Sequence, residues 1–186
     1  MKTINIQNLR IYGIEESKIA ATYPMLGAQV GDMENEKVKP GLARKLFLVP
    51  NGSGHDCFSK GITVQFDLTA PEYFWRQIDR YHFIDHVSSQ SKMHCITKFK
   101  IEDMCNDEVD QRIIEILKEK IAAGLSHRQI LSNIPAGLMM TSRMTTNILQ
   151  LKSIYSQRKN HKLPEWREFC EWINGIFVEL DLVNEI

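Results

Sequence analysis

The chain has 186 residues, 43% of them apolar and 25% charged, and its 23 basic residues balance 23 acidic ones. That is length and apolar content enough for one substantial core, and the charge balance leaves no overall field to draw in nucleic acid or an anionic membrane. No apolar run approaches the roughly 20 residues that a bilayer span needs, and the amino terminus MKTINIQNLRIYG lacks the apolar segment of a signal peptide. A cytoplasmic protein with a single domain over residues 1–186 is expected. Cys57, Cys95, Cys105 and Cys170 show neither a C-x-x-C pair nor regular spacing, the pattern of reduced thiols rather than of a disulfide framework or a zinc knuckle.

In chain order, Ile4, Ile6, Leu9 and Ile11 alternate loosely with polar residues and predict an opening strand over residues 2–12. A short helix is expected from Glu15 to Tyr23, stopped by Pro24. Gly27 to Pro40 is rich in Gly, Asp, Asn, Glu and Lys and reads as an exposed loop. Arg44 to Val49 suits helix or strand equally. PNGSG at residues 50–54 is a dense turn signal that delivers the chain to His55. Ile62, Val64, Phe66 and Leu68 then alternate cleanly with Thr63, Gln65 and Asp67, a strand with one buried face. Thr69 is placed to cap the next helix and Pro71 to occupy its first turn, which sets Tyr73, Gln77 and Arg80 near one helical face.

Regularity is expected to fade over Tyr81 to Ile84, with VSSQSK forming a loop rich in hydrogen-bond donors. Helical spacing resumes from Glu108 to Ala123, with Val109, Ile113, Ile116, Leu117 and Ile121 as the apolar stripe and Gly124 as the stop. Ser126 with Gln129 makes a capping box for a short helix that Asn133 and Pro135 close. Helices over Thr141 to Gln157 and Pro164 to Leu180 complete the chain, the last burying Phe169, Ile173, Ile176 and Phe177. The class is α+β and rich in helix.

Residues 55–94 hold four of the six histidines together with Arg76, Arg80 and Lys92. His82 and His86, four apart, would share a helical face with His94 or Cys95 nearby, but no H-E-x-x-H accompanies them, and no metal site is assigned. Ser88, Ser89, Ser91 and Cys57 lack the strained elbow that activates a nucleophile. Arg76, Arg80, Lys92, Arg143, Arg158, Lys159 and Arg167 fall beside loop or helix-end positions, where a phosphate or ring carbonyl can be gripped, although surface ion pairing is the ordinary role of each alone.

Taken whole, HDCFSKGITVQFDLTAPEYFWRQIDRYH resembles the central segment of the flavin-dependent thymidylate synthases. In that family a histidine loop leads into an alternating strand, then a helix opening A-P and running through R-Q to R-H-R-x-x-S-x-N-E-x-S-x-R. The spacing from His55 through Ala70-Pro71 and Arg76-Gln77 to Arg80 fits without a gap. A second stretch, NIPAGLMMTSRMTTNILQLKSIYSQRKNHKLPEWREF, is similar to the family's L-P-x-G segment, its Asn in a long helix and its L-R-x-x-x-H-A-Q-x-E-I-R ending. The sequence departs from the motif where Tyr81 and His82 replace its second and third residues, Asp85 its first serine, Val87 and Ser88 its Asn-Glu pair, and Gln90 its second serine. Lys92 keeps positive charge at the final arginine, and Ser91 precedes it. The family's other phosphate arginine falls near Thr141, with Arg143 able to substitute only in a shifted register.

The resemblance implies a helix-rich α+β fold with a small, mostly antiparallel sheet, assembled as a homotetramer with FAD held between subunits. It implies reductive methylation of dUMP to dTMP, with methylenetetrahydrofolate and NADPH as co-substrates. Cofactor contacts would come from His55, Arg80, Tyr81, His82, Arg158 and His161. Substrate contacts would come from Gln77, Arg80, Gln90, Ser91, Lys92, Arg143 and Arg167. Arg167 falls on the arginine that pairs with the uracil ring, where it stabilises negative charge so that carbon 5 becomes nucleophilic without a catalytic cysteine. The altered motif also suits a non-catalytic or repurposed flavin- or nucleotide-binding protein, or flavin chemistry on another pyrimidine nucleotide.

Overall fold

The computed structural model describes residues 3–27 and 39–184. The elements are β1 (Asn5–Tyr12), α1 (Ile14–Ala20), α2 (Leu42–Phe47), β2 (Thr63–Pro71), α3 (Glu72–Ile78), β3 (Ile84–Ser89), α4 (Lys92–Cys95), α5 (Ile101–Met104), α6 (Gln111–Ala122), α7 (His127–Leu131), β4 (Met139–Asn147), α8 (Ile148–Arg158) and α9 (Pro164–Glu179). The strands form one antiparallel sheet in the order β1-β2-β4-β3. The class is therefore α+β, as the sequence implied. No helix among the described residues is long and apolar enough to cross a membrane. Most of the expected loop from Gly27 to Pro40 lies outside the described residues.

The chain divides into two compact units, the first made of Met1–Gln7 with Asp67–Met144 and the second of Asn8–Phe66 with Thr145–Ile186. β2 is the strand the sequence announced, with Val64, Phe66, Leu68 and Ala70 buried on one face. The loose alternation of β1 has a local cause. Asn8 sits at φ 54°, a left-handed conformation that asparagine tolerates, and the buried phase shifts there from Ile4 and Ile6 to Leu9 and Ile11.

In the first unit, β2 runs on through Pro71, and α3 begins only at Glu72. Pro71 is the residue before the helix rather than part of its first turn, and Thr69 does not cap it. The Thr69 hydroxyl instead meets that of Thr141 at 2.7 Å. The first amides of α3 donate to backbone carbonyls, Glu72 to Leu138 at 3.1 Å and Tyr73 to Ala136 at 3.2 Å. Those carbonyls flank Gly137, where a Cβ would lie 2.4 Å from Val109 Cγ2 and 2.6 Å from Asn106 Oδ1, so only glycine fits this close approach.

α3 ends at Ile78, which leaves Arg80 in the following turn and not on the helical face with Tyr73 and Gln77. The VSSQSK stretch is also not all loop, because β3 occupies Ile84–Ser89 at the sheet edge. His82 lies in the turn before β3 and His86 within it, so the helical face they would have shared does not form.

α6 starts at Gln111, capped by the Asp110 carboxylate on the Arg112 amide at 2.9 Å. Its buried residues are Ile114 and Leu117, whereas Ile113 and Ile116 are exposed, a face rotated by one residue from the expected stripe. Gly124 ends it at φ 70°, with the amides of Gly124 and Leu125 donating to Ile121 and Lys120, the paired closure that frees the last turn of orphan carbonyls. The Ser126–Gln129 capping box forms as read.

The largest departure is the expected helix from Thr141. Residues Met139–Asn147 form β4, with Met140, Ser142, Met144 and Thr146 buried in alternation, and the helix waits until Ile148, where the Asn147 side chain caps the Gln150 amide at 2.9 Å.

In the second unit, Leu42–Phe47 settles as helix, and α1 stops at Ala20 with Pro24 inside a separate single turn. α8 packs on α9. α9 opens with Pro164 in its first turn and buries Phe169, Ile173, Ile176 and Phe177 as expected. Phe66, Phe169 and Trp172 form an aromatic cluster with centroids 4.6 to 5.9 Å apart. Lys152, half-buried, pairs here with the buried Asp56 at 2.5 Å, its ammonium also donating to the Val49 carbonyl at 2.8 Å and lying 5.0 Å from the centre of the Phe47 ring.

Candidate functional site

The first unit holds a recess of about 220 Å³ between α3, β3 and β4. Its apolar wall is Trp75 and Met140; the Trp75 indole N–H is fixed by the carbonyls of Ala70 at 3.0 Å and Met140 at 3.3 Å. Its polar wall includes Glu72, Arg76, Asp79, His86, Gln90 and Lys92. At this volume the recess takes a base, a sugar or a phosphate, since pockets for whole drug-sized ligands begin near 300 Å³. Lys92 Nζ donates to Glu72 Oε2 at 2.5 Å. Gln90 continues the β3–β4 pairing, its amide donating to the Thr141 carbonyl at 3.0 Å and its side-chain oxygen accepting from the Thr141 amide at 2.9 Å. A further recess is bounded by the same Glu72, Arg76 and Lys92.

His86 lies at the edge of the recess with Nδ1 2.7 Å from Ser142 Oγ, Nε2 2.9 Å from Asp79 Oδ1 and its ring 5.1 Å from that of Trp75. The residue types are those of a hydrolytic triad, but the arrangement is not a nucleophile's. Ser142 is 2% exposed, belongs to a strand, and has the Ser88 carbonyl, at 2.9 Å, as well as His86 within reach of its hydroxyl. An activated serine needs an exposed hydroxyl whose proton faces the base. The network ties the edge strand β3 to β4 and to the end of α3.

The remaining sequence-assigned residues of this unit are not among those that line the recess. Gln77 is half-buried on α3; Arg80, Tyr81 and His82 follow it in the turn; Ser91 precedes α4. Arg143, on β4, pairs with Asp67 at 3.2 Å.

The second unit gathers Arg158, His161 and Arg167 at the turn between α8 and α9. The Arg158 guanidinium lies 4.8 Å over the Trp166 ring, a cation–π contact, and the His161 ring is 6.2 Å from the same indole. Arg167 Nη1 donates to the carbonyls of His161 and Lys162, both at 2.8 Å. His161 Nδ1 accepts from the Leu163 amide at 3.2 Å. Desolvation, followed by the charges of Arg158, Lys162 and Arg167, lowers the His161 pKa below its ordinary value. Three cationic side chains, Arg158, Lys162 and Arg167, thus surround His161 in this turn. A groove along α8 and α9 beside it includes Arg167, Tyr155, Lys159 and Cys170. Burial pushes the Cys170 thiol up to about 11, so it is not a nucleophile at neutral pH. His55, in the same unit, is exposed in the turn that precedes Cys57.

No family model matches the sequence, and no curated protein does either. Solved structures do. The flavin-dependent thymidylate synthase ThyX of Helicobacter pylori, with FAD and dUMP, superposes with a TM-score of 0.75 at 10% identity over 98% of this chain and 100% of that one. The fold is that of the flavin-dependent thymidylate synthases. A second structure of the Helicobacter pylori enzyme with FAD and dUMP gives a TM-score of 0.69 at 10% identity over 96% of this chain and 93% of that one. A UMP/dUMP methylase, PolB of Streptomyces cacaoi, bound with 5-Br dUMP, gives 0.67 at 12% identity over 95% and 91%.

Within this thymidylate synthase-like fold, Glu72, Asp79 and Ser142 are recess residues that the sequence did not single out. Glu72 follows Ala-Pro as an acidic residue in a first helical turn, where the helix dipole alone accounts for it. The helix expected from Thr141 hid the place of Thr141 and Ser142 in β4, where they point to opposite faces of the sheet.

Proposed function

We propose that the chain is a flavin-dependent methylase acting at carbon 5 of a uracil nucleotide, with dUMP as the first substrate to test, FAD as cofactor, and methylenetetrahydrofolate and NADPH as co-substrates, working as a homotetramer. The observation that carries this reading is the meeting of Arg158, His161 and Arg167 at the α8–α9 turn. These residues come from the stretch that resembles the family, and the fold puts them together.

The residues fit the groups assigned to them. The α8–α9 turn is cationic, as an anionic dinucleotide requires, and Arg158, His161 and His55 are the second-unit residues assigned to FAD. Arg80, Tyr81 and His82 are those assigned in the first unit. FAD, when bound, supplies the redox and one-carbon carrier chemistry. Arg167 is held by two bonds from a single nitrogen, which occupy part of a five-donor fork. Its role is to bond the uracil carbonyl and stabilise the negative charge that makes carbon 5 nucleophilic. Gln77, Gln90, Ser91, Lys92 and Arg143 are assigned to nucleotide binding, Lys92 as a point charge rather than a planar fork.

Arg167→Ala tests the assignment. FAD binding should stay within about threefold of wild type while dUMP-dependent NADPH oxidation falls by at least about a hundredfold, the usual cost of losing one charge-stabilising donor. Undiminished turnover in the variant contradicts the role. One observation favours a second reading, a flavin- or nucleotide-binding protein without turnover. The family's Asn-Glu pair is replaced here by Val87 and Ser88, and both are exposed on the edge strand. Tight FAD binding with no dUMP-dependent oxidation would select it.

A further inference from the structure

The groove along α8 and α9 holds an acidic residue that none of its cations neutralises. Its volume is about 380 Å³, and Arg167, Cys170, Glu171 and Asn174 line it from α9, with Tyr155 of α8 and Lys159 at the end of that helix. Positions 167, 170, 171 and 174 recur at the three- and four-residue spacing of one helical face. Arginine and glutamate four apart on a helix are neighbours able to pair. Here they stay apart, because Arg167 Nη1 is turned back to the carbonyls of His161 and Lys162, both at 2.8 Å. Lys159 lies instead against the Tyr155 ring, 5.5 Å from its centre. Among the described residues the Glu171 carboxylate, exposed on the groove, has no ion-pair or hydrogen-bond partner.

Arg167 retains the N–H groups of Nε and Nη2, and Glu171, four residues on, leans back towards the turn that holds it, as helical side chains do. The groove therefore sets a fork of donors beside a group that only accepts. A free phosphate would gain from Lys159 and Arg167 but be opposed by Glu171. The edge of a uracil ring suits both partners, since a carbonyl oxygen accepts from the arginine while the adjacent N3–H donates to the carboxylate. Cytosine in the same pose turns the lone pair of its N3 towards the carboxylate, and two acceptors repel.

We infer that Glu171 is the specificity-determining residue for the base, accepting a hydrogen bond from N3–H of uracil while Arg167 bonds the neighbouring carbonyl, and so selecting uracil over cytosine nucleotides. The inference rests on the uracil reading above, in which Arg167 touches the ring, and names the residue that reads the base. Glu171 lies beyond the stretch that carries the family resemblance, which ends at Phe169.

The test is calorimetric titration of the full-length protein, with FAD in excess, by dUMP and by dCMP. Wild type should bind dUMP at least about tenfold more tightly than dCMP, the lower end for a bond to a charged acceptor because the groove is open to solvent. Glu171→Gln, whose amide both accepts and donates, should bring the two affinities to within about threefold of each other. Glu171→Ala, which removes the acceptor, should do the same and guards against a folding fault peculiar to one variant. Equal binding of dUMP and dCMP by wild type overturns the inference. An unchanged preference in both variants overturns it too, while the uracil reading stands because dUMP still binds. Wild type that binds neither nucleotide overturns the inference and the uracil reading together.

Discussion

Removal of the Asp56 carboxylate should be among the most destabilising single changes at a polar residue of this protein. Asp56 is 2% exposed and Lys152 12%, and their contact of 2.5 Å joins the His55 turn to α8. Asp56→Ala leaves the ammonium buried without its counter-charge, a situation that costs about 3–5 kcal/mol. Lys152 keeps the Val49 carbonyl at 2.8 Å and the Phe47 ring, and the backbone oxygen of Asp56 still accepts from the Ser59 amide and hydroxyl, so the lower end applies. A loss of about 3 kcal/mol corresponds to a fall of roughly 6–12 °C in Tm for a chain of this size. Urea unfolding followed by tryptophan fluorescence measures it. Adding Lys152→Met to Asp56→Ala should recover stability to within about 1 kcal/mol of wild type, because an apolar pair replaces a buried charge. A single-variant loss below about 1 kcal/mol, or a double variant no better than the single one, would refute the argument.

Three further outcomes follow from the same geometry. His161 has its pKa lowered in the folded protein, so as pH falls below the ordinary histidine value the unfolded chain takes up more protons; the stability present above that value is lost as pH drops towards the folded pKa. His161→Gln should flatten the pH dependence of Tm between about pH 8 and pH 5, and an unchanged slope would show that the histidine is not responsible. Alkylation with iodoacetamide at neutral pH, mapped by mass spectrometry, should modify exposed Cys57 well before Cys170, which is buried and raised to about 11; comparable rates would contradict the packing around α9. Ser126→Ala removes the hydroxyl that caps the Gln129 amide and should cost about 1 kcal/mol in urea unfolding, whereas no loss would mean α7 is held by packing alone.

How far the fold could be read from the chain depended on where polar residues fall. β2 was legible because its buried positions are all apolar. β4 was not, since Ser142 and Thr146 take buried positions between Met140 and Met144, and methionine favours helix by itself. β3 was missed because it is an edge strand whose first residue, Ile84, is its one buried position, so there was no alternation to find. α9 was legible from its apolar face and its opening Pro164. The grouping of Arg158, His161 and Arg167 was reachable through resemblance, since the three lie within ten residues of one another. The recess was not. Glu72, Asp79, His86 and Ser142 are brought together by sheet pairing across a long stretch of chain, and no local pattern records that Lys92 already has a carboxylate partner.

The central claim is that this fold carries flavin chemistry on a uracil nucleotide. It is tested most directly by adding FAD to the purified full-length protein, recording the absorbance of the protein-bound flavin, and following NADPH oxidation with and without dUMP. The account predicts a flavin spectrum that co-purifies with the protein on gel filtration and NADPH oxidation that responds to dUMP. Colourless protein that takes up no FAD and leaves NADPH oxidation indifferent to dUMP would contradict it.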